Sequence, residues 1–305
     1  METEEAWSSI ESSVDNILQS MEAYRRNAYK YGFGLGLLLG CIAALVLYIV
    51  SQNVALTLTI GIAVWLITFI LTLALAFVKL DKRYKKEIMP ILTATVCPNA
   101  TYDAKLGVDI SSFFASGIFK QHANEVLANE DGIRGNVGDV SFVFCESHLA
   151  YSEESIVNGK KKKNNVRHFD GMVLDLTLPQ STSDNAILTT LSTIEGMAPA
   201  YTKLCPDNTA FGKLFSTYST SDTLPAIAEQ AKQNIVDLYN TIKKNMGESD
   251  MTVSFWNNKI LIVVPNFKNR FEAKILSSLK IKRVYEDFAI INEMGKIATA
   301  FSKYL

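Results

Sequence analysis

Two uncharged apolar runs dominate the hydrophobic pattern in the first quarter of the chain. Residues 33–50 and residues 54–78 contain no Asp, Glu, Lys, Arg or His. A helix that spans a membrane needs about 20 apolar residues, so both runs qualify. Only the polar link 51–53 separates them, and backbone inside hydrocarbon must stay helical. The pattern therefore predicts an antiparallel two-helix transmembrane hairpin over residues 32–80.

Basic residues set the predicted orientation of this hairpin. They flank it on both outer sides and are absent from the link: Arg25, Arg26, Lys30, Lys79, Lys82, Arg83, Lys85 and Lys86. The positive-inside rule then places both termini in the cytoplasm. The cluster after the second span is also a candidate contact for anionic lipid or for a partner: Lys82, Arg83, Lys85 and Lys86. Its simpler interpretation is a topology signal alone.

The N-terminal segment 1–31 predicts a long amphipathic helix, because residues 3–31 contain neither Gly nor Pro. Its apolar residues recur at alternating intervals of three and four, which is typical of a coiled-coil seam. The seam consists of Trp7, Ile10, Val14, Ile17, Met21 and Tyr24. Two interpretations stay open. The seam pairs with copies of itself in a homo-oligomer, or it lies against the soluble domain or the membrane surface.

Small residues line one face of the first predicted span at intervals of four. They are Gly32, Gly36, Gly40 and Ala44. Small residues at this spacing allow two helices to approach closely. The face therefore predicts helix packing, either against the second span of the same chain or against another subunit.

The remaining residues, 81–305, predict a cytoplasmic α+β domain with a mainly antiparallel sheet flanked by helices. Helices and strands are mixed without regular alternation, which favours this class over a parallel α/β fold. The predicted helices are 109–128, 183–194, 224–246, 271–279 and 283–305. The predicted strands are 140–151, 166–178, 211–219, 251–256 and 259–264. The glycine-containing stretch 129–138 is expected to form turns.

Asn158-Gly159 is a strong hairpin signal between the strands 140–151 and 166–178. If these two residues form the turn, the numbers of paired residues sum to 317, and His148 faces Phe169. A slip of one residue would bring together four potential metal ligands, Glu146, His148, His168 and Asp170. The simpler interpretation is polar side chains on the solvent-facing half of the hairpin.

The predicted tip of this hairpin carries four lysines, Lys160, Lys161, Lys162 and Lys163. They are candidate lipid or partner contacts. A solvated tip that guards a strand edge is the simpler explanation, because lysines discourage unwanted strand pairing.

Composition narrows the classes of function. The chain is 48% hydrophobic with a formal net charge of -1, which argues against a dedicated nucleic-acid binder and against a disordered chain. The four cysteines lack the paired spacing of a disulfide framework or a thiolate metal site. No catalytic triad signature is present and no cofactor is expected, so catalysis is not predicted.

Several segments of the soluble domain resemble a family of uncharacterised bacterial membrane proteins, domain of unknown function 3137. The segments are Ser116-Gly117-Ile118-Phe119, Asn129-Glu130-Asp131-Gly132-Ile133-Arg134-Gly135, Phe142-Val143-Phe144-Cys145-Glu146 and His168-Phe169-Asp170-Gly171-Met172-Val173. The resemblance covers roughly residues 80 to 300. It implies a bacterial inner-membrane protein and implies no activity.

Three functions fit these observations. The first is a membrane-anchored cytoplasmic scaffold or sensor that binds a partner protein, lipid or small ligand. The second is an oligomeric membrane effector or pore that the cytoplasmic domain gates. The third is a membrane-bound metal-dependent enzyme built on the polar residues of the hairpin. The first interpretation requires the fewest features beyond those observed.

Overall fold

The computed structural model describes residues 3–157, 160–182, 184–205, 209–247, 249–266 and 270–303. The chain divides into two compact units. The helical unit comprises Trp7–Ile91 and Phe271–Tyr285, and the sheet unit comprises Met1–Ala6, Leu92–Arg270 and Glu286–Leu305. The predicted segments 1–31 and 32–80 thus fall almost entirely in the helical unit, which also takes in residues 81–91.

Two long helices form the helical unit. Helix α1 runs without interruption over Thr3–Ser51, and α2 covers Val54–Arg83. Asn53 caps α2 by accepting a hydrogen bond from the Leu56 amide at 3.1 Å. A π-helical turn over Tyr84–Ile88 continues α2 into α3, Met89–Val96. Both long helices are sufficiently long and apolar to cross a membrane.

The small-residue face of α1 packs on α2 of the same chain. A Cβ added at Gly36 would lie 2.8 Å from the Trp65 side chain, and one added at Gly40 would lie 2.6 Å from the Gly61 carbonyl oxygen. Gly61 in turn faces Ala44, and Gly32 faces Thr72. The interface therefore depends on the missing side chains, as expected for close helix contact.

The residues of the N-terminal seam are buried or half-buried in the folded chain. Trp7, Val14 and Met21 of the seam are buried. Leu18, which follows the seam residue Ile17, is buried as well. Ile10, Ile17 and Tyr24 are half-buried. Trp7 packs edge-on against Tyr285, with ring centroids 5.3 Å apart. At Trp7, the seam therefore contacts another segment of its own chain.

Residues 271–279 do not form the predicted helix. They adopt bends whose backbone groups bond to α1. Arg25 and Tyr29 both donate to the Ile275 carbonyl, and the Leu279 amide donates to Glu22. Side chains of α1 thus provide the partners that helical hydrogen bonds would otherwise supply.

The sheet unit is built on one nine-stranded sheet in which every pair of neighbouring strands is antiparallel. Its order is β1-β2-β3-β4-β9-β8-β5-β7-β6. The strands are β1 Thr101–Asp103, β2 Val126–Val137, β3 Val140–Val157, β4 Lys160–Thr177, β5 Ala186–Thr189, β6 Thr202–Lys203, β7 Ser216–Ser219, β8 Thr252–Trp256 and β9 Lys259–Pro265. The helices are α4 Ile110–Ala115, α5 Ala210–Leu214, α6 Ala226–Met246 and α7 Ile281–Lys303, of which residues 281–285 belong to the helical unit. The predicted α+β class is confirmed.

Three predicted elements of this unit were wrong in type or length. The helix predicted over 109–128 ends at Ala115, because Gly117 takes a left-handed conformation with φ +71°. The stretch 129–138, expected to form turns, lies almost entirely in β2. The helix predicted over 183–194 contains β5 instead, which is paired on both sides by β7 and β8; residue 183 lies outside the described residues. Strand pairing overrode local propensity there.

The predicted strand 211–219 is also divided. Its first half is α5 and only its second half is strand β7. In contrast, α6, the β8–β9 hairpin and α7 confirm the predictions for 224–246, 251–264 and 283–305 over the described residues.

The β3–β4 hairpin changes register halfway along its length. Near the tip, Ala150 faces Arg167 in the predicted 317 register, although residues 158–159 lie outside the described part of the chain. Farther from the tip, Leu149 faces Phe169. His168 is therefore an extra residue of β4 that lies opposite the step from Leu149 to Ala150 in β3. This β-bulge makes the predicted pair of His148 with Phe169 wrong. His148 faces Asp170 instead.

Candidate functional site

A cavity of about 300 Å³ lies in the sheet unit beside the bulge of β4. Apolar side chains form much of its wall, and charged side chains from β4 and from residue 195 join them. Its lining is Ile118, Phe119, Arg167, His168, Phe169, Asp170, Leu191, Thr193, Ile194, Glu195, Thr252, Val263 and Pro265. Such a mixture of apolar wall and few convergent polar groups is typical of small-ligand sites.

An aromatic cluster positions one wall of this cavity. Phe113, Phe119 and Phe169 are buried, and their ring centroids lie 5.2–5.9 Å apart. The ring of Phe119 also meets His168 edge-on at 5.6 Å. Adjacent residues of a regular strand point to opposite faces, yet His168 and Phe169 both contact Phe119. The bulge therefore turns the His168 side chain to the face of the apolar core.

Two glutamates face the two ring nitrogens of His168. Its Nδ1 lies 3.3 Å from Glu125 Oε1, and its Nε2 lies 3.4 Å from Glu195 Oε2. The second oxygen of Glu125 accepts a hydrogen bond from the His122 amide at 2.9 Å. The turn between them contains Asn124 in a left-handed conformation, with φ +59°. The loop before β2 thus holds His122 and Glu125 beside β4.

Aromatic contacts fix the orientation of the second imidazole, that of His122. It stacks on Tyr151 with centroids 4.0 Å apart and planes inclined by 2°, and it lies edge-on to His168 at 5.2 Å. Potential ligand atoms of His122, Glu125 and His168 all lie within 4.8 Å of one another. Within the described ranges, this is the group of His, Cys, Asp or Glu side chains with the spacing of a metal centre.

His148 belongs to a different network. Its Nδ1 lies 2.6 Å from Asp170 Oδ1 and its Nε2 lies 3.1 Å from Glu130 Oε1. Arg167 donates to the other oxygen of Asp170 at 2.8 Å. Burial opposes ionisation of Asp170, but the hydrogen bonds from His148 and Arg167 outweigh it and lower the pKa of that carboxyl. His148, Glu130, Asp170 and Arg167 thus form one hydrogen-bonded network.

Glu146 is buried in a third environment. Its Oε1 accepts a hydrogen bond from the Arg270 amide at 3.1 Å, and the Arg270 guanidinium pairs with Asp287 at 3.2 Å. Burial, reinforced by the nearby charge of Asp131, raises the pKa of Glu146 to about 8. This carboxyl therefore favours its neutral form at neutral pH.

The four residues predicted as a possible metal cluster are thus not assembled into one site. Among them the structure brings together only His148 and Asp170, whereas His168 lies with Glu125 and Glu146 with Arg270. The physical reason is the bulge, which changes the register and turns His168 away from the face that carries His148. Sequence reasoning missed His122, Glu125 and Glu195. The signal in the sequence was the spacing of His122 and Glu125, two potential metal ligands three residues apart.

The predicted basic contact residues lie at two places on the surface. Beside α2, Arg83 pairs with Glu87 at 2.9 Å and Lys85 with Asp81 at 3.7 Å, while Lys82 and Lys86 are exposed. At the hairpin tip Lys161 pairs with Glu154 at 3.3 Å, and Lys162 and Lys163 are exposed. The Lys160 side chain lies outside the described residues. The Lys161–Glu154 pair is exposed and contributes little to stability, whereas the two pairs beside α2 are partly buried.

Comparison with known proteins finds a family match over the C-terminal part of the chain. Residues 167–303 match the family described as "Protein of unknown function (DUF3137)", which confirms the resemblance over that segment. The matched segment begins at Arg167, so it contains His168, Asp170 and Glu195 and excludes His122 and Glu125. No curated protein matches the chain.

A solved structure of low similarity is the crystal structure of the mycobacterial trehalose monomycolate transport factor A, TtfA. It has 14% sequence identity to this chain and a TM-score of 0.33. The match covers 70% of this chain and 95% of that chain. We draw no fold or function from a likeness at this level.

Proposed function

We propose that the protein is a membrane-anchored sensor whose sheet unit binds a small ligand in the cavity beside His168. The cavity of about 300 Å³ is the observation that carries this proposal. Its apolar wall includes Ile118, Phe119 and Val263, and its polar side includes Arg167 and His168. A ligand with an apolar body and a hydrogen-bonding end fits such a lining.

The helical unit supports membrane anchoring. Large apolar side chains on the outer faces of α1 and α2 are exposed, among them Leu38, Val50 and Ile67. A contiguous apolar surface of this kind needs lipid or protein to cover it. The basic residues that flank the two spans favour cytoplasmic termini. We therefore propose that the protein resides in a bacterial inner membrane with its sheet unit in the cytoplasm.

The two alternative functions have weaker support. A pore would need the small-residue face or the N-terminal seam for contacts between copies, but the chain's own residues occupy both faces. A metal-dependent enzyme was inferred from a grouping of Glu146, His148, His168 and Asp170 that the strands do not assemble. The cavity favours ligand binding over both.

Ligand binding is tested by identifying small molecules that remain bound to the purified protein. The full-length chain is solubilised in mild detergent and examined by native mass spectrometry. Leu191→Trp fills the cavity, and Lys244→Trp adds the same ring on the exposed face of α6. We expect a bound molecule in the wild type and in Lys244→Trp, and its loss from Leu191→Trp. Equal retention by Leu191→Trp, or an empty wild type, would overturn the proposal.

Topology is tested with a thiol reagent that does not cross membranes. Ser51→Cys places a thiol at the end of α1, beside the link to α2, and the exposed native Cys205 reports on the sheet unit. In right-side-out vesicles we expect labelling at residue 51 and protection of Cys205. The reverse pattern would contradict the proposed orientation.

A further inference from the structure

We propose that His122, Glu125 and His168 bind a divalent transition-metal ion, with zinc as the preferred ion. His168 also lines the cavity, so the ion would lie at the cavity wall. This inference goes beyond ligand binding in the cavity and does not depend on it.

The donor set fits zinc. Two imidazoles and one carboxylate are ordinary zinc ligands, and three protein ligands leave a fourth position for water or for a bound ligand. The three potential ligand atoms already lie within 4.8 Å of one another. Mixed nitrogen and oxygen donors disfavour calcium and magnesium, which prefer oxygen alone.

Distances separate this cluster from the His148 network. His148 lies 2.6 Å and 3.1 Å from its two carboxylates. His168 Nδ1 lies 3.3 Å from Glu125 Oε1, which is long for a hydrogen bond. Two ligands of one tetrahedral zinc ion are separated by about 3.4 Å, given bonds of about 2.1 Å. The 3.3 Å between His168 Nδ1 and Glu125 Oε1 is therefore close to the separation of two ligands of one zinc ion.

Neighbouring groups hold these side chains in place. The backbone of His122 anchors one oxygen of Glu125 and leaves the other directed at His168. The Glu125 side chain is 3% exposed, so its charge is shielded from water and benefits from a cation. Glu195 faces the far nitrogen of His168 at 3.4 Å. Carboxylates in that position commonly orient a metal-bound histidine.

The bulge adds an independent observation. A strand loses a ladder hydrogen bond where an extra residue is inserted, and bulges recur next to functional sites because they redirect one side chain. Here the extra residue is His168 itself, and the redirected side chain is the one that meets Glu125. His168 is therefore both the extra residue of the bulge and a member of the proposed metal site.

The experiment measures zinc binding by the full-length protein in detergent, purified with an affinity tag that lacks histidine. The protein is stripped with a chelator, and zinc affinity is measured by competition with a chromophoric chelator. Cobalt(II) then replaces zinc, and its visible absorption reports coordination geometry. We expect one equivalent of metal, a tetrahedral cobalt spectrum and no thiolate charge-transfer band.

Variants locate the site. His168→Ala and Glu125→Gln should each weaken zinc binding more than about 100-fold, whereas Glu195→Gln should weaken it about tenfold as an orienting partner. Glu125→Gln keeps an oxygen that can accept the hydrogen bond from the His122 amide. It therefore tests how much the carboxylate charge contributes to zinc binding, with little structural change. His148→Ala removes the one remaining histidine of the chain and should leave both affinity and spectrum unchanged.

Three results would overturn the metal site: no zinc bound by the wild type, equal loss in His148→Ala, or a thiolate band in the cobalt spectrum. The first of these would identify the cluster as an ion-paired network. Leu191→Trp should lose the cavity ligand and retain zinc, so failure of the metal site and failure of the proposed function give different results.

Discussion

In the sheet unit, large apolar side chains such as Phe113, Phe255 and Phe288 are fully buried, whereas in the helical unit Leu38, Val50 and Ile67 are more than half exposed. The sheet unit removes its apolar groups from water by packing them on one another. The helical unit has a narrow inner face of small residues and leaves its larger side chains outside. The difference shows which surface of the molecule lipid or protein must cover, since water would disfavour the outer face of the two helices.

The largest expected effect comes from truncating one apolar side chain in each unit. Phe113→Ala removes a buried ring that contacts Phe119 and Phe169, and should cost about 3–5 kcal/mol of unfolding free energy. Leu38→Ala changes a side chain on the outer face of α1 and should stay within about 0.5 kcal/mol in detergent. Denaturant unfolding of both variants provides the measurement. Similar losses would mean that protein, not lipid, covers Leu38.

The second largest loss of stability is expected from a substitution at Gly40, with the same substitution at Gly34 as its control. Gly40→Leu places a side chain against the Gly61 carbonyl and Trp65, and should cost about 1–3 kcal/mol or more. Gly34→Leu is its matched control, because no heavy atom lies within 4 Å of a Cβ there. The thermal midpoint and the fluorescence of Trp65 both report on this interface. Equal stability of the two variants would contradict packing of α1 on α2.

The buried carboxyl of Glu146 makes the sheet unit sensitive to pH. Its pKa is about 8 in the folded state and about 4.3 in an unfolded chain, so between these values the folded state binds more protons. Stability should therefore fall as pH rises, by up to about 1.4 kcal/mol per pH unit, and level off above pH 8. Glu146→Gln keeps an oxygen for the Arg270 amide and should flatten the profile. A parallel decline in both proteins would assign the effect to other groups.

The smallest effect is expected at the surface of the helical unit. Arg26→Ala removes an exposed partner of Glu22 and should cost less than about 1 kcal/mol. Arg25→Ala should cost more, because the half-buried Arg25 also donates to the Ile275 carbonyl. Thermal unfolding of the two variants at one ionic strength gives the comparison. The opposite order would show that residues 271–285 contribute little to the position of α1.

The helical unit was the more predictable of the two from sequence. The length of an apolar run, the intervals between apolar residues and the spacing of small residues are local properties of the sequence. They identified α1, α2 and the face that contains Gly36 and Gly40. The partner of that face could not be predicted, because the same spacing serves contacts within a chain and between chains. In the structure Gly40 fits against Gly61 of the same chain.

In the sheet unit, prediction failed where long-range pairing decides structure. Ala186–Thr189 is a strand because β7 and β8 lie on either side, and nothing local distinguishes it from a short helix. The site was missed for a similar reason. A single extra residue, His168, separates the predicted register from the observed one, and the hairpin signal at residues 158–159 carries no information about a bulge further along.

Continuity of α1 has a mechanical consequence. The buried seam at Val14, Leu18 and Met21 and the small-residue face at Gly36 and Gly40 lie on one stripe of a single helix, without a loop between them. Each residue of a helix turns the next by about 100°. One alanine inserted after Ala28 would rotate the two faces out of phase, and no flexible joint could absorb the change. Because α1 is one continuous helix, a rotation of the span near Gly40 about the helix axis would also rotate the seam near Val14.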